Sequence, residues 1–238
     1  DVPVGAFLSG GLDSSSVAAF AREIKPDLQC FTIDVRQDGS EGFVDDLPYA
    51  QQVARHLDVP LQVVQVDAAQ MASELETMVW QLDEPLADPA SLNVLHISRL
   101  ARAQGIKVLL SGAGGDDLFS GYRRHLALEN EKWWRWLPRP LRLQLRALTG
   151  HLPTSHPFTR RLRKAFSGAH LESDARLVHY FRWIERSDLE ALYSPAFRAA
   201  LGQTRAEDPM LEFLAGLPSN IPPLERMLAL EQRFFLTD

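Results

Sequence analysis

Three serines, two glycines and an aspartate crowd seven positions near the start of the chain: Ser9-Gly10-Gly11-Leu12-Asp13-Ser14-Ser15. Serine hydroxyls are neutral hydrogen-bond donors, and Gly10 and Gly11 let a ligand approach the backbone closely. Residues 4–8 before them are apolar, and residues 17–24 after them have helical spacing. A turn between a strand and a helix aims several backbone N–H groups, and the positive end of the helix dipole, at one place. That is a phosphate cradle. The loop lacks the Lys-Ser or Lys-Thr pair of the common phosphate loop and the G-x-G-x-x-G spacing of the dinucleotide fingerprint. Asp13 is the odd member. A carboxylate repels phosphate unless a cation lies between them, so Asp13 predicts Mg²⁺ bridging carboxylate and phosphate oxygens. The same residues also read as a plain cap, by Asp13 or Ser14, after a tight turn.

A second constellation is Ser111-Gly112-Ala113-Gly114-Gly115-Asp116-Asp117-Leu118-Phe119-Ser120-Gly121-Tyr122. Glycines and acids after an apolar run do not make a core. They make a pliant backbone beside a ligand, with carboxylates aimed at it. Asp13 and Asp116 together with phosphate oxygens supply the oxygen-rich shell that Mg²⁺ prefers. The bland alternative is a turn in which Asp116 or Asp117 caps the next helix. No Ser-His-Asp or Cys-His arrangement is legible, and the seven histidines lack metal-ligand spacing.

Elements of alternating type must position these residues. Strands are predicted at 4–8, 29–35, 60–66 and 107–110, and helices at 13–23, 46–57, 68–82 and 92–104, with Gly105 as a C-cap. Residues 37–44 read as a loop. Strands spaced by helices imply right-handed crossovers and a mainly parallel sheet. Ligands of such sheets sit at the carboxyl ends of the strands. The expectation is therefore a crevice shared by the loop after Leu8, the second strand near Ile33, and the loop after Leu110.

From Gly121 onward almost nothing reads as a strand. Helical spacing appears at 141–148, 175–183, 188–192, 210–217 and 224–235, with prolines between. Two units are expected: a nucleotide-binding α/β core over 1–121 and a helical part over 122–238. Lys132-Trp133-Trp134-Arg135-Trp136 mixes aromatics with bases, as some nucleic-acid and membrane surfaces do; packing, or contact with a missing domain, is the preferred reading. Arg160, Arg161, Arg163 and Lys164 read first as a solvated helix face, with a mobile loop near the nucleotide as the alternative.

The 238 residues carry a net charge of −6, which gives no sign of nucleic-acid binding. No apolar run approaches a membrane span, so no membrane partner is expected. Cys30 is the single cysteine and reads as a buried strand residue. It cannot close an internal disulfide, which fits a reducing, cytoplasmic compartment. The chain starts just before a core strand and ends within helical spacing, which reads as a piece of a longer protein.

The first motif, S-G-G-L-D-S-S, resembles the pyrophosphate-binding loop of the ATP pyrophosphatases. The longer form with Phe7-Leu8 before it and Ser15-Ser16 after it is similar to the synthetase domain of glutamine-dependent asparagine synthetases. So is the second motif, in which a Leu-Ser-Gly strand end leads to Gly-Asp-acid, an aromatic, then Gly-Tyr. The resemblance covers roughly residues 4–122. It implies an α/β fold with a mainly parallel, five-stranded type of sheet, like that of the adenine nucleotide α-hydrolases, followed by a helical subdomain. It implies ATP and Mg²⁺ as cofactors. Leu8, Ile33, Ser111 and Gly112 would contact the adenosine portion. Ser9, Gly10, Gly11, Asp13, Ser14 and Ser15 would hold pyrophosphate. Asp13 and Asp116 would hold Mg²⁺. The stretch 83–91 resembles a family loop near the amino-acid substrate, though it also reads as a surface loop.

The implied chemistry is adenylylation of a carboxylate, most simply the side chain of aspartate, then attack by ammonia to give an amide and AMP. Ammonia would come from glutamine through an N-terminal glutaminase domain absent from this chain, and a homodimer is a further expectation. The chain departs from the pattern at Ala113, where an acid often stands that is thought to help the ammonia step. Asp117, or a group outside the chain, would have to act instead. The family's lysine toward the C-terminus has no counterpart here. Two other readings remain open: a related amidotransferase or cyclase acting on a β-lactam precursor, peptide or sugar, and a nucleotide-binding module without turnover.

Overall fold

The computed structural model describes residues 2–36, 46–82, 86, 88, 90–153 and 155–236. The predicted loop at 37–44 lies outside them, as do Asp83, Glu84, Pro85, Ala87 and Pro89 of the stretch 83–91. The chain forms two compact units, Asp1–Ala113 and Gly114–Asp238.

The first unit is a parallel sheet flanked by helices. Its strands are β1 (Val4–Phe7), β2 (Gln29–Arg36), β3 (Leu61–Asp67) and β4 (Val108–Leu110). Their order is β3-β2-β1-β4, all neighbours parallel, with Ala6 opposite both Cys30 and Leu110. The described residues thus hold four strands. The connecting helices are α1 (Leu12–Ile24), α2 (Leu47–Leu57), α3 (Ala68–Ser73), α4 (Leu75–Gln81) and α5 (Ala90–Ala103). From β1 the chain steps outward to β2 and β3, then returns to lay β4 on the other side of β1. The order therefore reverses between β1 and β4, and the carboxyl edge at such a reversal is where doubly wound sheets take ligands.

Helices cover both faces of the sheet, so the strand residues that point into either core are apolar. Side chains alternate along them. Ala6, Leu8 and Cys30 face the core that holds Ala18 of α1 and Ala50 and Ala54 of α2. Phe31, one position on, faces Ile97 and Ala101 of α5, together with Phe7 and Ile33. Gly5 has a packing reason: a Cβ there would lie 2.9 Å from a ring carbon of Phe31. Cys30 is buried and free, and burial pushes its thiol up to about 11.

One predicted helix divides. The span 68–82 breaks at Glu74, whose φ of −98° and ψ of 0° leave the helical region. There the Glu74 carboxylate meets Arg99 of α5, and His96 at 3.9 Å. Apolar spacing does not report an ion pair formed 25 positions away.

The second unit is helical among its described residues: α6 (Gly115–Phe119), α7 (Arg123–Asn130), α8 (Arg139–Gly150), α9 (Pro157–Ser167), α10 (Ser173–His179), α11 (Arg186–Leu192), α12 (Pro195–Leu201), α13 (Asp208–Ala215) and α14 (Pro223–Glu231). A 3₁₀ turn over Glu131–Trp133 and a π-helical turn over Gln232–Leu236 complete it. Leu128, Leu177, Leu214, Met227 and Leu230 form its core. Beside them Arg176 is buried against Glu131, which also accepts a 2.7 Å hydrogen bond from the Tyr180 hydroxyl. No helix among the described residues is long and apolar enough to cross a membrane.

Candidate functional site

The loop after β1 is held at both ends. Leu8 is 1% exposed, and its N–H donates to the Phe31 carbonyl at 2.9 Å. Gly10 has φ +81°, and a Cβ on it would lie 2.5 Å from the Ala50 nitrogen and the Tyr49 carbonyl carbon. The backbone there turns left-handed while pressed on the start of α2, so only glycine fits. Gly11 is the N-cap of α1 and brings no side chain to its free N–H groups. An N-terminus without a side-chain cap is an anion site in waiting.

The loop serines form a small network. The Ser14 hydroxyl accepts from the Ser9 N–H at 3.3 Å, lies 3.0 Å from the Ser9 hydroxyl, and lies 3.3 Å from the Gly11 carbonyl. The Ser9 hydroxyl in turn accepts from the Gly11 N–H at 3.3 Å. The Ser15 hydroxyl is buried and has no hydrogen-bond partner among the described residues. Asp13 is half-buried in the first turn of α1.

The loop after β4 comes to the same place. A Cβ on Gly112 would lie 2.5 Å from the Ser14 nitrogen and 2.8 Å from the Asp13 carbonyl carbon. Gly112 thus rests directly on the first turn of α1, and the Ser111 hydroxyl accepts from the Ala113 N–H at 3.0 Å. Of the residues expected around a nucleotide, Leu8, Ser9, Gly10, Gly11, Asp13, Ser14, Ser15, Ser111 and Gly112 therefore lie at one edge, between the ends of β1 and β4. Ile33 lies inside β2, paired with Val64 and half-buried in the core toward α5.

Asp116 and Asp117 belong to the second unit, in the first turn of α6, which Gly114 opens at φ +92°. Their surroundings differ. Asp117 is 4% exposed and accepts from the Tyr122 hydroxyl at 3.0 Å. Burial, then this bond to Asp117, push the Tyr122 hydroxyl up to about 12, so it remains a donor. Asp116 is half-buried, and its Oδ1 fills the space a Gly121 Cβ would occupy, at 1.5 Å. The chain reverses tightly there, with the Ser120 and Gly121 N–H groups both donating to the Asp116 carbonyl.

Behind this turn lies a buried polar network that the sequence reading missed. Glu231 at the end of α14 is 0% exposed. Its carboxylate oxygens lie 2.8 and 2.9 Å from His125 Nε2, and Arg124 Nε donates to it as well. The Arg124 guanidinium stacks 3.9 Å over the Tyr122 ring. A chain of contacts thus runs from Asp117 through Tyr122 and Arg124 to Glu231. The available signal was a charge directly after Leu230, at an inward position of an amphipathic helix.

A strand-end glycine loop over an uncapped helix and a Gly-Asp-Asp turn buttressed from behind are the features that comparison with known proteins must explain. The asparagine synthase family model matches residues 1–238. A putative asparagine synthetase [glutamine-hydrolyzing] of Mycobacterium tuberculosis is 38% identical over 154 residues, 64% of this chain and 23% of that protein. Asparagine synthetase [glutamine-hydrolyzing] 1 of Bacillus subtilis is 33% identical over 153 residues, again 64% and 23%. The amidase chyE of Penicillium rubens is 33% identical over 157 residues, 59% of this chain and 23% of that protein. The matched part thus spans under a quarter of the length of these relatives. With the family match running the whole chain, the chain belongs to the asparagine synthase family.

Proposed function

We propose that this chain is the ATP-using part of an amide synthetase that adenylylates a substrate carboxylate and passes the acyl group to ammonia. The observation that carries the reading is the seating of Gly112 on the Asp13–Ser14 turn, which joins the two strand-end loops at the β1/β4 reversal. ATP fits there as substrate. Its β,γ-phosphates would take the free N–H groups of the first turn of α1 and the hydroxyls of Ser9 and Ser15. The buried Ser15 hydroxyl, without a partner among the described residues, gains one from a phosphate oxygen. Ser111 and Gly112 would border the adenosine portion.

Asp13 and Asp116 are hard oxygen donors of the kind Mg²⁺ takes, and they are the residues that would hold it. The ion would supply charge neutralisation for the departing pyrophosphate. The rest falls to the chain itself. The loop N–H groups bind and orient the phosphates, and their fixed dipoles favour the charge that develops as pyrophosphate leaves. A carboxylate oxygen, most simply of an aspartate side chain, attacks the α-phosphorus. Ammonia, delivered from a glutaminase domain of the parent protein, then displaces AMP and leaves an amide.

A second reading changes the acceptor. Ala113 is exposed beside the loop and can neither accept nor donate a proton. Asp117 is engaged with Tyr122. An acceptor other than free aspartate, as in a cyclase or another amidotransferase, suits a site without an acid at that position.

The test uses the full-length parent with ATP, Mg²⁺, aspartate and ammonium, separating the nucleotide products. AMP and pyrophosphate formed only with aspartate support the first reading. AMP and pyrophosphate formed only with another carboxylate support the second. ADP and phosphate overturn both.

A further inference from the structure

Between Glu131 and Glu172 the chain runs for forty residues without an acid. That stretch holds nine of the 25 lysines and arginines and none of the 31 aspartates and glutamates. The rest of the chain is correspondingly acidic. The stretch folds as one piece, a tryptophan turn followed by the α8–α9 hairpin, wholly inside the second unit.

Its side chains divide sharply. Arg142 is turned inward, pairing with Glu172 and donating to the Ala169 carbonyl at 3.1 Å. Trp134 packs on Phe166 of α9, ring centroids 5.2 Å apart. Trp133 and Trp136 do not follow it in. They are 73% and 75% exposed, and the Trp136 indole N–H is tied to the Trp133 carbonyl at 3.0 Å, which holds both in one turn. The packing expected for this tryptophan cluster is met by its middle member alone. On α8, Leu141 and Leu148 share a face at i and i+7 and are 45% and 69% exposed. Arg160, Arg161, Arg163 and Lys164 stand exposed along α9. Among the described residues no acid pairs with any of them.

We infer that the tryptophan turn and the α8–α9 hairpin form a docking surface for an anionic lipid membrane. The chemistry selects the partner. One sign of charge over the whole stretch calls for a surface of the opposite sign. Exposed indoles and leucines in the same acid-free stretch call for an apolar layer just beneath that charge. An anionic bilayer offers both, and it asks for no shape complementarity from the hairpin. The mode is peripheral, and no helix among the described residues is long and apolar enough to cross. The inference does not depend on the proposed reaction.

The test is co-sedimentation of the full-length protein with vesicles of phosphatidylcholine alone and of equal parts phosphatidylcholine and phosphatidylglycerol. Binding is expected to the acidic vesicles only and to fall as salt is raised, although the net charge of −6 would by itself repel the protein from them. Replacing Arg160, Arg161 and Arg163 by glutamine is expected to weaken binding by on the order of a hundredfold, about fivefold for each cation. The Trp133→Ser/Trp136→Ser variant is expected to bind at least about tenfold more weakly while keeping its circular dichroism, since both side chains are in solvent. Salt-insensitive binding, equal binding by the variants, or no binding to acidic vesicles would overturn the inference. So would preferential capture of polyglutamate or of a DNA duplex with the vesicles ignored.

Discussion

A methyl group on Gly112 would sit 2.5 Å from the backbone nitrogen of Ser14, nearer than any side-chain carbon can come. The loop after β4 and the first turn of α1 are thus in direct contact, with no room for a side chain between them. Gly112→Ala must push one of them aside. The expected result is at least a tenfold rise in the Kd for ATP, or ~1.4 kcal/mol, measured by calorimetry. Gly10→Ala meets both a backbone clash and a φ of +81°, and is expected to lower the melting temperature as well. Unchanged ATP affinity in Gly112→Ala would remove this contact from the site.

Asp13 serves the reading only through a cation. Asp13→Asn is therefore expected to weaken ATP binding in the presence of Mg²⁺ and to leave it unchanged or strengthen it in its absence, where the carboxylate only repels the phosphates. A titration of ATP with and without Mg²⁺ separates the two. Equal weakening in both conditions would make Asp13 a structural residue.

Glu231 is buried between Arg124 and His125. Glu231→Ala takes the shared acceptor away from buried His125 and half-buried Arg124 and is expected to destabilise the protein by up to ~3–5 kcal/mol. Because the three groups act together, the Glu231→Ala and His125→Ala costs should be non-additive by at least about 1 kcal/mol. Urea melts of the two single variants and the double variant decide this; additivity would mean the contact is incidental.

His179 Nε2 lies 2.8 Å from the Ser167 hydroxyl. Burial first, then the positive Arg182, hold His179 below its ordinary value of 6.5, with the like-charged Arg146 and His170 adding to this and Glu185 opposing. A depressed folded-state value means that the unfolded chain takes up a proton before the fold does. Stability is therefore complete above pH 6.5 and falls as the pH drops below it, by at most ~1.4 kcal/mol per pH unit for this group. His179→Gln should flatten that decline. Denaturant melts above and below pH 6.5 are the check, and identical slopes in wild type and variant would refute it.

Much of the site is legible in the order of the residues alone. The run Val4 to Ser15 has an apolar stretch, glycines with no side chain, and then helical spacing, and each of these is a local property of the chain. So are the strands 29–35 and 60–66, which formed within about a residue of where their β-favouring composition put them. Local regularity suffices when the burial it reports is apolar, because periodicity records which faces leave water.

What the tertiary structure alone decided is polar and distant. Nothing local to Glu74 announces that it will pair with Arg99 where the helix is interrupted, and α7 lacks an apolar stripe because one of its two buried residues is His125, matched to a carboxylate 106 positions away. Asp116 and Asp117 are identical neighbours in sequence, yet Tyr122 reaches across the turn to take one and Gly121 makes room for the other. A charge can enter a core only when its partner arrives with it, and that pairing exists only once the chain has folded.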